Sequence, residues 1–283
     1  MESKKKTVFA NRVIPAVIMA IFAAAIICLN PFCLGIVFVV MGIMAQLEMK
    51  TVYEKVSAKP YFVIYLFPPA LFALWVIYGP FDLSLPIFAL CLIVALLGFI
   101  SRKIIRLQAT LLAAVYPGIP MLALAALCTF GAYGAAASKS LVQSCIIIVV
   151  GGVAAGDIAA MAVGAKIGKR KLCPAISPGK TVEGLIAQLV ATPLFVFGAW
   201  LAISAWIYPE FPIGDALTIG FLCGPLAVAG DLLASWLKRK AGIKDFGKIL
   251  GGHGGILDRF DGMSVAALFA ILWFVSWKPF YFS

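Results

Sequence analysis

Residues 215–240 read DALTIGFLCGPLAVAGDLLASWLKRK. From 215 to 236 the run is apolar over about the 20 residues that a helix needs to cross a bilayer. It does not alternate with period two, as a barrel strand would, and a backbone in lipid must satisfy its own polar groups. The run therefore reads as a membrane helix. One carboxylate, Asp231, interrupts it, and Lys238, Arg239 and Lys240 close it. A carboxylate deep in a bilayer costs about 2.5–3.5 kcal/mol, so it normally faces a polar cavity or a partner. A single span thus points both to a membrane fold and to a polar site inside it.

Eight more apolar segments lie outside it, near 13–29, 32–47, 61–79, 84–100, 109–130, 140–165, 185–207 and 263–280. Asn30-Pro31, Pro80 and Pro209 with Pro212 punctuate them, because proline lacks a donor and blocks the helical backbone before it. The expected fold is all-α, a polytopic membrane bundle of about nine transmembrane helices. It forms one membrane domain over 1–283, with an N-terminal helical half at 1–135 and a C-terminal half at 136–283 that carries the catalytic site. The 283 residues are 63% apolar and 12% charged. A soluble body could not hide that much apolar surface, which excludes an ordinary cytosolic enzyme, a disordered chain and a disulfide-stapled module. The basic start followed by an apolar run reads as a retained first span rather than a cleaved signal. The seven cysteines read as small core residues.

The charges sort by loop. With the N-terminus in the cytoplasm, 21 of the 23 basic residues fall in the tail and in the loops near 48–60, 101–108, 166–184 and 237–262. That sorting satisfies the positive-inside rule at every loop and places the C-terminus outside the cytoplasm. Topology and attraction to anionic headgroups explain the first three basic stretches. They do not explain the last two, which also hold carboxylates, glycines and a histidine. The net charge of +11 is thus no diffuse attraction to nucleic acid.

The richer stretch runs from Gly230 to Asp261. Its carboxylates suit Mg²⁺, which takes one or two protein oxygens plus phosphate and water. Its Lys and Arg suit phosphates, and its glycines, Gly254 and Gly255 among them, let backbone approach a ligand closely. Together they suggest a metal-held nucleotide triphosphate. Ser235 lies one turn after Asp231 on the same helical face. His253 is the only histidine, with no partner for a Zn site. A phosphate donor, a general base or a backbone brace are its open roles, the first and last favoured.

The other stretch holds Asp157 inside a span, then Lys166, Lys169, Arg170, Lys171 and Ile176-Ser177-Pro178-Gly179-Lys180-Thr181-Val182-Glu183-Gly184. Gly179-Lys180-Thr181 is no P-loop, because position 174 is Pro where that motif needs Gly. Ser-Pro-Gly reads instead as a turn opening the next helix, whose positive N-terminus, with Lys180 and Thr181, suits phosphate. Gly152/Gly156 and Gly164/Gly168 read as helix-packing pairs.

These residues resemble the integral-membrane phosphatidate cytidylyltransferases, or CDP-diacylglycerol synthases. That family's C-terminal signature is Ser, x, aliphatic, Lys-Arg, four residues, Lys-Asp, and later His-Gly-Gly-aliphatic-x-Asp-Arg-x-Asp. Here it runs unbroken from Ser235 to Asp261. The upstream Gly230-Asp231, the span with Asp157 and the run from Ile176 to Gly184 also match, so the specific resemblance covers about 155–262. Two positions depart: Ala160, where many relatives carry an aromatic, and Gly251, often Pro.

The resemblance implies the reaction CTP + phosphatidate → CDP-diacylglycerol + pyrophosphate, with Mg²⁺ and a second, monovalent cation such as K⁺. It makes Asp231 and Asp258 the first metal ligands, Asp261 a further one, and Asp245 a second-tier carboxylate. Lys238, Arg239, His253 and Arg259 join the two ligands in the catalytic set. Ser177, Lys180, Thr181, Ser235, Lys244, Gly254, Gly255 and Asp157 serve substrate and phosphate. It further implies a bacterial inner-membrane enzyme facing the cytoplasm, and a homodimer. Rival readings are a CDP-archaeol synthase or polyprenol kinase, and a secondary transporter using Asp157 and Asp231. The halves show no repeat of the kind a transporter predicts.

Overall fold

The computed structural model describes residues 31–55, 60, 69–73, 104–129, 139–250 and 254–277. The segments expected near 13–29 and 84–100, and most of 61–79, lie outside the described residues. Helix α1 spans Pro31–Lys55. It starts on a proline, whose missing N–H is no loss in a first turn. Helix α2, Ile104–Ala113, runs through a wide turn at Ala114–Gly118 into α3, Ile119–Thr129. Pro117 sits in that turn and Tyr116 has an extended backbone (φ −147°, ψ 123°), so the helical ladder breaks there. Helix α3 is apolar all round and buried from Pro120 to Thr129, as expected of a helix at the centre of a bundle.

Helix α4, Lys139–Ile146, continues through Ile147–Gly151 into α5, Gly152–Ile167. Then come strands β1, Lys171–Cys173, and β2, Ser177–Thr181, and helices α6, Val182–Trp206, α7, Ile213–Lys240, and α8, Leu257–Trp277. Among the described residues, five helical stretches are long and apolar enough to cross a membrane: Phe32–Lys55, Ala109–Thr129, Ser140–Ile167, Val182–Trp206 and Ile213–Lys240. Their outer faces keep large apolar side chains such as Met161, Leu194 and Phe221 exposed, which suits lipid as the surrounding solvent.

Small residues set the packing. A Cβ on Gly152 would meet Val196 at 2.9 Å, and one on Gly164 would meet Thr181 Oγ1 at 2.9 Å. Those positions do pack α5 against α6, as the small-xxx-small pattern predicts. Gly184 approaches the carbonyl of Ala160, where an added Cβ would come within 2.8 Å.

The all-α bundle fits, and two local expectations need correction. One connection between helices holds a two-stranded antiparallel hairpin, β1 with β2, which pairs Lys171 with Thr181 and Cys173 with Ser177. Polar loops between antiparallel helices have backbone groups to satisfy, and this one satisfies them across the hairpin. The turn falls at Pro174–Ile176, not at Ser177-Pro178-Gly179, which lies in β2. Finally, α8 begins at Leu257, so Asp258 and Asp261 sit on its first turns rather than in a loop. Acidic residues there favour the helix dipole.

Candidate active site

The site is built where α7 and α8 cross. A Cβ on Gly230 would lie 2.7 Å from the Asp261 carbonyl oxygen, and one on Gly262 would lie 2.5 Å from that of Ala227. Only glycine at both positions lets the two backbones approach this closely, and each glycine has a carboxylate beside it in sequence. Asp231 Oδ2 lies 2.6 Å from Lys180 Nζ, and Oδ1 accepts a hydrogen bond from Ser235 Oγ at 3.3 Å. Asp261 is buried and accepts the N–H of Gly262 at 2.7 Å. Asp231, Lys238 and Lys180 all lie within coulombic range of it.

One helical turn away is a second ion pair. Lys238 Nζ lies 2.7 Å from Asp258 Oδ1, and the two side chains are only 11% and 6% exposed. Asp258 Oδ2 accepts the N–H groups of Phe246 and Gly255, each at 2.9 Å. The Lys238 ammonium also stands over the Phe246 ring, 5.1 Å from its centroid. Asp258 thereby organises the loop between α7 and α8. Gly254 is left-handed there (φ +83°), and its Cα faces the Asp258 carboxylate.

Two contributors come from the other half of the chain and escape a reading based on polar clusters. Glu48 of α1 is buried; its Oε1 accepts from Ile256 N and its Oε2 from Leu257 N, both at 2.9 Å. Tyr116, at the break before α3, is 2% exposed, and its phenol oxygen has no hydrogen-bond partner among the described residues. It lies within coulombic range of Asp261, Asp231 and Asp258. The one signal for Glu48 was a carboxylate at the edge of an apolar run. For Tyr116 it was Pro117 breaking a span.

The remaining expected residues divide. Asp157 accepts from Gln188 Nε2 at 2.7 Å, joining α5 to α6. Thr181 caps α6 by accepting from Gly184 N at 3.1 Å, and Gly255 spends its N–H on Asp258. Arg239 Nε donates to the Ile176 carbonyl at 3.1 Å and so ties the hairpin to α7. Ser177 is half-buried in β2, while Lys244, Asp245 and Arg259 are exposed. His253 lies outside the described residues. Among the described residues, no three carboxylate, histidine or cysteine side chains form a ready-made metal cage.

The sequence profile of the cytidylyltransferase family matches residues 10–277. The chain is 39% identical over 168 residues to a phosphatidate cytidylyltransferase of Helicobacter pylori, covering 58% of this chain and 57% of that protein. It is 38% identical over 123 residues to one from Aquifex aeolicus, covering 43% of this chain and 44% of that protein. With one from Haemophilus influenzae the figures are 37% over 124 residues, 41% and 40%. The chain thus spans about half the length of the curated relatives it matches. The family profile takes in every described residue, the paired carboxylates and lysines included: this chain belongs to the cytidylyltransferase family.

Proposed function

We propose that this protein is a phosphatidate cytidylyltransferase, which joins CTP and phosphatidate into CDP-diacylglycerol and releases pyrophosphate. The observation that carries the reading is the pairing of Asp231 with Lys180 and of Asp258 with Lys238 at the joined ends of α7 and α8. Carboxylates offer oxygens to a hard cation, and ammonium groups beside them offer charge to phosphates. The names of the Helicobacter and Aquifex relatives support the same reading.

In this reaction an oxygen of the lipid phosphate attacks the α-phosphorus of CTP. A new P–O bond forms, the bond from the α-phosphorus to the bridging oxygen breaks, and its electron pair leaves with pyrophosphate. The lipid phosphate is already ionised near neutral pH, so no base is needed. What remains is to hold two polyanions together and neutralise the leaving group. We assign Lys180, Lys238, Arg239, Lys244 and Arg259 to the phosphates, with the hydroxyls of Ser177, Thr181 and Ser235. Asp157, Gly254 and Gly255 are assigned to substrate binding, and His253 joins the catalytic set.

The residues fit Mg²⁺. Asp231 already holds a cation, the Lys180 ammonium, and Asp261 is a buried carboxylate beside it. An ion that takes most of its oxygens from phosphate and water needs no closed protein cage. Asp231 and Asp258 would hold it, with Asp261 adjacent, and bound there it would neutralise phosphate charge. A monovalent cation such as K⁺ belongs to the same proposal. So does the setting: a bundle of about nine helices in the bacterial inner membrane, with the N-terminus and the site on the cytoplasmic side, where CTP is found.

The test uses purified full-length protein in detergent, dispersed phosphatidate, Mg²⁺, and CTP labelled on either the α- or the γ-phosphate. The α-label should enter the lipid fraction and the γ-label should leave as pyrophosphate. Transfer of the γ-label to lipid would make the protein a kinase instead. No labelled lipid from either nucleotide, with the lipid shown to be dispersed, would end the proposal.

A further inference from the structure

We propose that Glu48 is a positioning residue: its carboxylate fixes the backbone just ahead of Asp258 and so sets where Asp258 points. This inference rests on Asp258 being part of the site. The first N–H groups of any helix lack an acceptor within the helix. In α8 those groups belong to Ile256 and Leu257, and both are taken by the two oxygens of Glu48 at 2.9 Å, across 208 and 209 residues of sequence. The next residue is Asp258.

The fit around Glu48 is close. A Cβ on Gly247 would stand 2.5 Å from Glu48 Oε1, and one on Gly255 would overlap Oε2. Two glycines of the α7–α8 loop therefore form the slot that the carboxylate fills, and Glu48 is 5% exposed within it. Asp258 Oδ2 holds the N–H groups of Phe246 and Gly255 from the other side. Two carboxylates from opposite halves of the chain thus bind four N–H groups of one loop. With Glu48 in place, Asp258 keeps Oδ1 directed at Lys238. Without it, the turn at 255–257 has two donors to satisfy, and Asp258 already accepts from that turn at Gly255 N.

Hydrogen exchange on the full chain in detergent, without metal, nucleotide or lipid, tests this. Glu48→Gln keeps the size but loses one acceptor oxygen. Exchange at the amides of 246 and 255–257 should rise about tenfold, the factor for one lost hydrogen bond of ordinary strength. Exchange in α5 and α6 should not change. Glu54→Gln, an exposed member of the same helix, is the control and should match the parent protein. Because no substrate is present, this arm stands whether or not the chain makes CDP-diacylglycerol.

In the assay, Glu48→Gln should lower kcat and raise the Mg²⁺ concentration at half-maximal rate, with Glu48→Asp intermediate. A variant that exchanges like the parent, exchanges faster everywhere, or keeps its kcat and Mg²⁺ dependence overturns the proposal. Should Glu48→Gln fail to fold, Gly247→Ala pushes on the same carboxylate from the loop side and should produce the same local pattern.

Discussion

Residues 169–184 and 241–257 are both basic, glycine-containing connections between helices, and a carboxylate braces each. In the first, Glu183 accepts the N–H groups of Lys169 and Arg170 at 3.1–3.3 Å, from 13 and 14 residues away and in contact with solvent. In the second, Glu48 accepts those of Ile256 and Leu257 from the far half of the chain, with solvent excluded. The bonds are of one kind, but their surroundings give them different weight. Water can replace a lost partner at the hairpin, whereas a buried N–H left alone keeps its full desolvation penalty. The hairpin is therefore a local shape and the α7–α8 loop a tertiary one. Arg239, on α7 but bonded to Ile176, couples them.

The widest gap between the two regions should appear at their ion pairs. Asp258→Asn takes from buried Lys238 the carboxylate it is bonded to, and breaking a buried pair costs about 3–5 kcal/mol. Asp231→Asn breaks a pair whose members are 24% and 40% exposed, where screening limits the loss to about 0–1 kcal/mol. Both variants should lose activity by about a hundredfold or more, since each removes a carboxylate proposed to hold the cation that would neutralise transition-state charge. Unfolding in detergent alongside the lipid-labelling assay separates the effects. Equal destabilisation by the two substitutions would erase the distinction between an open and a closed half of the site.

A smaller effect is expected at the crossing that brings both regions together. Gly262→Ala places a Cβ about where α7 now runs, 2.5 Å from the Ala227 carbonyl oxygen. Overpacking of this kind costs about 1–3 kcal/mol. The helices must separate, so activity should fall while the hairpin stays intact. Intact activity would show that the Asp231–Asp261 approach is not needed.

The same contrast separates what is legible in the sequence from what is not. The membrane class was legible because apolar runs of bilayer length have one good solution, and among the described residues five helices are long and apolar enough to cross a membrane. The second-half carboxylates and lysines stood out because charges inside or beside apolar runs are expensive. Glu48 did not stand out. It sits two residues from Lys50 at a span edge, where charges are ordinary, and its partners are backbone N–H groups that leave no mark in a sequence. The hairpin turn was misplaced because Pro174 and Ser177-Pro178-Gly179 offer comparable turn chemistry, and hydrogen bonding from Val182 N to the Arg170 carbonyl decides between them. The start of α8 reads as loop in the sequence because Asp258, Arg259 and Asp261 are charged, although acidic residues favour that end of a helix.

The smallest effect should come from Glu183→Gln. The substitution removes a carboxylate that holds two hairpin N–H groups, yet those groups face water and can bond to it instead. Thr181 still caps α6 through Gly184, and the Val182–Arg170 backbone bond still closes the hairpin. Stability should not move measurably, and kcat/KM should fall by no more than about threefold, the size of effect expected when a solvated hydrogen bond is exchanged for one to water. The loss should appear in KM for CTP, because Lys180 on β2 is the hairpin's contribution to Asp231 and to the phosphates. Measuring KM and kcat for Glu183→Gln beside Glu48→Gln compares the two braces directly. A kcat loss at Glu183 as large as that at Glu48 would mean that the exposed loop is as tightly coupled to the site as the buried one, and that solvent access does not rank them.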